Sequence, residues 1–202
     1  MLSLQWSELL KSGGVTLFVL LICFLLAAIL IIERLAYYRT RNREVKAVLA
    51  QIATQEASHS LPPREAYQLM DSPVSYVLNE CYPYVKGDLF EEVKSRAIAE
   101  KVPEMDRYLN VLATLGTVSP YIGLLGTVFG IIRAFMSLGG GAGDTAMSGL
   151  NAGIAESLAA TAAGLFVAIP ATIFFNYFRR RSDALLMQIE IAASRLKTLG
   201  RG

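Results

Sequence analysis

GVTLFVLLICFLLAAILII, residues Gly14 to Ile32, runs without a charge until Glu33 and Arg34 interrupt it. At 1.5 Å per residue a helix needs about 20 such residues to cross roughly 30 Å of hydrocarbon. Two further stretches meet the same test. Tyr108–Ile132 is uncharged up to Arg133, and Leu150–Phe178 carries only Glu156 before Arg179-Arg180-Arg181 closes it. The sequence therefore predicts an all-α integral membrane protein with three transmembrane helices and long cytoplasmic helical extensions.

Composition agrees. Hydrophobic residues make up 53% of the 202 and charged residues 18%, against about 45–50% and 25% in a soluble domain. A net charge of +2 without a basic, aromatic-interleaved patch gives no reason to expect nucleic acid. Cys23 lies in the first apolar run and Cys81 in the polar middle of the chain, which suggests neither a disulfide framework nor a metal site. The single histidine, His59, sits among Ser, Gln and Pro and reads as a solvated loop residue. No cofactor, metal or catalytic set is expected. The spans hold no Ser/His pair, paired Asp or zinc-ligand group, so an intramembrane enzyme is disfavoured. The first run is too long for a signal-peptide core, and its positive charge follows rather than precedes it, so it reads as a retained helix.

Lysine and arginine set the orientation. Eleven lie between Arg34 and Arg107 and six after Phe178, with only Lys11 and Arg133 elsewhere. By the positive-inside rule the middle segment and the tail are cytoplasmic. The expected plan is a periplasmic segment 1–13, spans at 14–32, 108–136 and 149–178, a cytoplasmic helical domain at 33–107, a periplasmic glycine-rich turn at 137–148, and a cytoplasmic helix at 179–202. Leu2–Leu10 has helical apolar spacing, with Trp6 placed as an interfacial anchor. In the middle segment, Thr54–Pro63 reads as a loop because Pro62-Pro63 cannot continue a helix. Helices are expected at Arg64–Met70 and Val74–Glu80. Another should start with Asp88 as N-cap and Glu91 three positions on, continuing directly into the second span. The tail is amphipathic, with Leu185, Leu186, Ile189 and Leu196 near one face.

The second and third spans differ from the first. One carries small residues at Gly116, Ser119, Gly123, Thr127, Gly130 and Ala134. The other carries them at Gly149, Gly153, Ser157, Ala160, Gly164 and Ala168. In lipid, helices associate through close backbone approach at such positions, so these two are built to pack on each other or on copies, and an oligomer is expected. Pro120 and Pro170 each free the carbonyl four residues back, as a packing kink or to shape a pore. Counted from Arg179, Thr161 stands about 27 Å up and Glu156 about 35 Å, while Thr127 lies about 9 Å below Arg133. The two threonines should share a level, with Glu156 about a turn above. Each threonine either bonds back to its own helix or lines a path, and Glu156 is either an interfacial carboxylate or a functional one.

Leu115–Ile132 (LGTVSPYIGLLGTVFGII) and Gly153–Ala171 (GIAESLAATAAGLFVAIPA) resemble the second- and third-span signatures of the MotA/TolQ/ExbB proton-channel family, and the three-span plan is similar to its ExbB/TolQ branch. The resemblance implies an inner-membrane pentamer around an ExbD/TolR-like single-span partner whose membrane aspartate is protonated and released. A TonB/TolA-like protein would be the element driven. It also implies pore-lining roles for Thr127 and Thr161, matches Glu156 to the motif's carboxylate, and matches Pro120 to the second-span proline. A non-conducting membrane scaffold with the same small-residue stripes is the alternative.

The orientation is testable with single cysteines at Ser3, Ser60, Gly141 and Ser194 in a cysteine-free background. An impermeant thiol reagent should label positions 3 and 141 in intact cells and spare 60 and 194. The opposite pattern would invert the topology.

Overall fold

The computed structural model describes residues 14–58, 61, 63–68, 72–140 and 144–201. Helices account for nearly all of them: α1 (Gly14–Ser58), α2 (Glu65–Gln68), α3 (Pro73–Cys81) with a 3-10 turn at Tyr82–Tyr84, α4 (Phe90–Met105), α5 (Leu109–Gly140) and α6 (Asp144–Arg201). Parts of α1, α5 and α6 are long and apolar enough to cross a membrane. The expected segments at Leu2–Leu10 and His59 fall outside the described residues.

The chain forms two compact units. One comprises α1 up to Ile32 together with Asn110–Asn176. Its outward face is apolar: Val15, Ile29, Ile32, Tyr121, Phe135 and Leu158 are all well exposed. In water such a surface would be a liability; in hydrocarbon it is the ordinary face of a spanning helix. Inside the unit, Phe24 of α1 meets Phe166 of α6 with ring centroids 5.5 Å apart.

The other unit comprises Glu33–Leu109 and the chain from Tyr177 onward, and it has a core of the water-soluble kind. Val45, Val48 and Ile52 line one face of α1, Val74, Val77, Leu78 and Cys81 one face of α3, and Phe90, Val93 and Ala97 one face of α4. Against them α6 lays Leu185, Ile189, Ala192, Ala193 and Leu196, the apolar face expected of the tail. Burial of this order contributes roughly 1.5–3 kcal/mol per large side chain.

Arg34 fastens the upper part of this unit. It is 2% exposed, yet its guanidinium is fully employed. It bonds the Glu33 carboxylate at 2.5 and 2.7 Å, donates to the carbonyls of Glu104 and Met105 at 3.1 and 3.3 Å, and lies 4.4 Å from the Tyr37 ring centroid. The Tyr38 hydroxyl donates to the same Met105 carbonyl at 2.7 Å. These carbonyls belong to the last turn of α4 and lack partners within the helix; α1 supplies them.

Several local expectations need correction. α1 does not stop at Thr54 but continues to Ser58, held by buried Ile52, by the Thr54 hydroxyl bonded back to Ala50, and by Glu56 paired with Arg195 at 3.4 Å. The N-cap of α3 is Ser72, whose hydroxyl accepts from the Ser75 N–H at 3.2 Å, with Pro73 in the first turn. Asp88 does not cap α4. That helix starts at Phe90, and Glu91 reaches Lys94 and Lys197 at 2.5 and 2.8 Å. These two ammonium groups hold its carboxyl down at about 2. A depressed carboxyl of this kind favours the fold above about pH 4.5, and the contribution disappears as the pH falls toward 2.

Nor does α4 run on into the second span. Tyr108 sits at φ 65, in the left-handed region, and separates the two helices. Asp106 at this break accepts from Ser182 at 2.7 Å and from Arg179 at 3.0 Å. At the other end α5 continues past residue 136 to Gly140, and α6 begins at Asp144.

Cys81 reports on this core. It is fully buried, and burial pushes its thiol up to about 11. With Cys23 replaced by alanine, alkylation at pH 8 should be far slower than for a free thiol, and should rise only as the pH approaches that value. Ile189→Ala should cost about 2–5 kcal/mol and speed the reaction. Equal rates in the variant and its parent would show that the core does not shield Cys81.

Candidate functional site

α5 and α6 run antiparallel with almost no side chain between them. A Cβ built on Gly123 would stand 2.9 Å from the Ala160 carbonyl oxygen and 3.1 Å from the Thr161 Cα. One on Gly164 would stand 2.7 Å from the Ser119 carbonyl oxygen. One on Gly130 would press on Ser157 at 2.8 Å, and one on Gly153 on the Ala134 Cβ at 2.6 Å. Gly116 lies hard against Thr172, and Gly126 against Ala160 and, from α1, Thr16. The glycines singled out from spacing alone thus all sit in one seam, joined by Gly126. Here glycine is required by backbone approach, the means by which helices adhere where lipid removes the hydrophobic incentive.

This register fixes the polar residues in depth. Gly126 against Ala160 brings the neighbouring Thr127 and Thr161 to one level, both half-buried. Their hydroxyls differ. Thr127 donates to its own helix, to the Leu124 carbonyl at 2.6 Å. Among the described residues, none accepts from or donates to the Thr161 hydroxyl. Towards the C-terminal end of α5, Glu156 pairs with Arg133 at 2.5 Å, and the carboxylate side chain is only 14% exposed. Gly14, at the start of α1, lies close to the same guanidinium.

Two features escaped the sequence reading. Arg133 served there only as the end of the span, although the opposite charge of Glu156 at matched depth was available as a signal. Ser119 was counted among the small residues, but its hydroxyl is buried and has no partner. It precedes Pro120, which removes a donor from the carbonyl of Gly116. α5 and α6 nevertheless stay helical across Pro120 and Pro170.

Along α5 from Arg133 toward its N-terminus the order is therefore an ion pair, a level of two hydroxyls, and a buried serine beside a proline. Hydroxyls donate and accept hydrogen bonds and can orient water or a carboxylate, but they do not store a proton near neutral pH. Between the Glu156 pair and the opposite ends of the two spans, at Leu109 and Phe178, the described residues of α5 and α6 hold no carboxylate.

The residues that form this seam lie within a stretch of sequence shared with known proteins. The model of the MotA/TolQ/ExbB proton channel family matches residues 66–191. The chain belongs to that family. Within it the chain is of the ExbB/TolQ kind. It is 35% identical over 179 residues to putative biopolymer transport protein ExbB-like 3 of Synechocystis, covering 83% of this chain and 82% of that one. It is 45% identical over 101 residues to Tol-Pal system protein TolQ of Haemophilus influenzae, and 39% identical over 111 residues to biopolymer transport protein ExbB of Aquifex aeolicus. The match covers 50% of this chain and 43% of the Haemophilus protein, and 55% and 73% for the Aquifex pair. The chain thus spans less than half the length of that TolQ.

Gly123→Leu and Gly164→Leu should each separate α5 from α6 and abolish assembly, whereas Leu25→Ala, on a face 52% exposed, should be mild. Native mass spectrometry of the solubilised variants distinguishes the cases; an unchanged complex in both glycine variants would refute a packing role.

Proposed function

We propose that this chain is the channel subunit of an inner-membrane motor of the ExbB–ExbD or TolQ–TolR type, non-enzymatic, coupling proton flow to mechanical work on a periplasmic or outer-membrane partner. The observation that carries the reading is Thr161. Its hydroxyl is unpartnered, at the level of Thr127, in a seam too tight to serve any purpose that needs bulk. Packing alone would be met by alanine. A hydroxyl left free in a membrane helix is instead available to water or to a carboxylate brought in from outside the chain.

In this reading several copies, five by family resemblance, surround a single-span partner whose aspartate supplies the acceptor these spans lack. A TonB/TolA-like protein receives the motion. A proton entering from the periplasm meets the Arg133–Glu156 pair first, then the threonine level, then the partner's carboxylate. Each elementary charge crossing the membrane releases about 2.3 kcal/mol per 100 mV, and that energy reappears as displacement of the partner. Orientation follows from the distribution of lysine and arginine, with the N-terminus and the connection after Gly140 periplasmic.

Thr161→Val keeps shape and β-branching and removes only the hydroxyl. It should assemble with the partner yet fail to support proton-driven work, and Thr161→Ser should restore most of it. Thr127→Val should be impaired less, since its hydroxyl already serves its own helix. Thr114→Val, whose hydroxyl bonds back to Asn110 at 2.8 Å, is the control. Complementation beside a partner pull-down reads both. Full activity of Thr161→Val and Thr127→Val at normal complex levels would leave the seam as scaffold alone.

A further inference from the structure

In the unit with the soluble core, a cavity of about 430 Å³ opens between α1 and α6, and its walls are graded. Leu35 and Tyr177 stand nearest in sequence to the ends of the first and third spans, and Arg39, Arg43 and Lys46 follow on the same face of α1. Arg181 faces them from α6, its Nε donating to the Tyr177 hydroxyl at 3.2 Å and its guanidinium 5.1 Å from that ring's centroid. No carboxylate lines the cavity. Elsewhere in this unit cations sit on carboxylates: Arg41 on Glu44, Lys101 on Glu104, Arg179 on Asp106, Lys197 on Glu91. Among the described residues, Arg39, Arg43 and Lys46 have no such partner. With Arg181 they place four like charges around a concave surface, which focus a positive potential and attract an anion.

We propose that this cavity binds the headgroup of an anionic phospholipid. The order of polarity along the α1 wall points to a lipid over a free anion. Arg39 follows Ile32 by seven residues and Arg181 follows Phe178 by three, about 10 and 5 Å at the helical rise. The headgroup layer adds roughly 5–8 Å on each side of the hydrocarbon, so Arg181 stands within it and Arg39 at its inner edge, with Arg43 and Lys46 deeper. Along α1 the apolar Leu35 and Tyr38 come first and the cations after them, as in a lipid whose acyl chains stay in the bilayer while its phosphates reach inward; on α6 Tyr177 precedes Arg181, with Ala184 and Leu185 beyond it. Basic pockets at the cytoplasmic ends of membrane helices take anionic headgroups by this chemistry. The inference rests on the three-span reading and is independent of any proton path.

The test uses the intact solubilised complex in phosphatidylcholine nanodiscs, doped with either cardiolipin or phosphatidylglycerol and analysed by native mass spectrometry. Anionic lipid should be retained over phosphatidylcholine. The triple variant Arg39→Gln/Arg43→Gln/Lys46→Gln should lose at least about tenfold of that retention, since each cation contributes to the attraction. Arg96→Gln, exposed on α4 and away from the cavity, should retain lipid as the parent does. Glycerol 3-phosphate at equal concentration should not displace the lipid; displacement would overturn the proposal in favour of a soluble anion. Undiminished retention by the triple variant would also overturn it. So would a changed subunit count with unchanged retention, which would assign the cavity to a contact between copies.

Discussion

Between α5 and α6 the main chains approach until no Cβ fits, and the candidate site depends on that constraint. The distance from Gly123 to the Ala160 carbonyl sets the register. The register in turn brings Thr127 level with Thr161 and Arg133 within reach of Glu156. A shift of one residue along either helix would replace glycine against backbone by a bulky side chain against backbone. Lipid gives apolar side chains little reason to choose each other, so the choice falls to steric fit. Polar groups placed by such a seam are held far more firmly than their own few hydrogen bonds would hold them.

Two helices, α1 and α6, obey a different chemistry once past their apolar spans. There large side chains such as Ile52, Ile189 and Leu196 are removed from water altogether. One buried arginine, Arg34, is tolerated because each face of its guanidinium finds a carboxylate, a carbonyl or a ring. An unpaired charge in that position would carry a penalty of several kcal/mol. Closing the last turn of α4 with groups from α1 ties segments 70 residues apart in sequence, a long-range constraint that helical periodicity does not contain.

The spans were legible because length and the absence of charge are enough to define them, and the seam was legible because small residues recur at threes and fours. The face of the tail that carries Leu185, Ile189 and Leu196 was readable for the same reason. Less visible were the features decided by a partner distant in sequence. Asp88 and Glu91 match a capping pattern, but Lys197 competes for Glu91 and the helix begins at Phe90. The break at Tyr108 has no glycine to announce it. It is fixed by Arg179 and Ser182 converging on Asp106. Ser72-Pro73, by contrast, was a readable start signal for α3. At the threonine level, sequence placed both residues at one depth but could not tell which hydroxyl was already engaged.

The unequal character of the three spans bears on how the protein reaches the membrane. The first is charge-free and rich in large aliphatic residues, so it can partition from the translocon into lipid unaided. The third carries Glu156, and its seam face is made of glycine, serine and alanine, which repay little of the insertion cost individually. Its stable burial depends on Arg133 neutralising that carboxylate and on α5 covering that face. Insertion of the third span is therefore coupled to the second, whose Arg133 and glycine face it needs beside it.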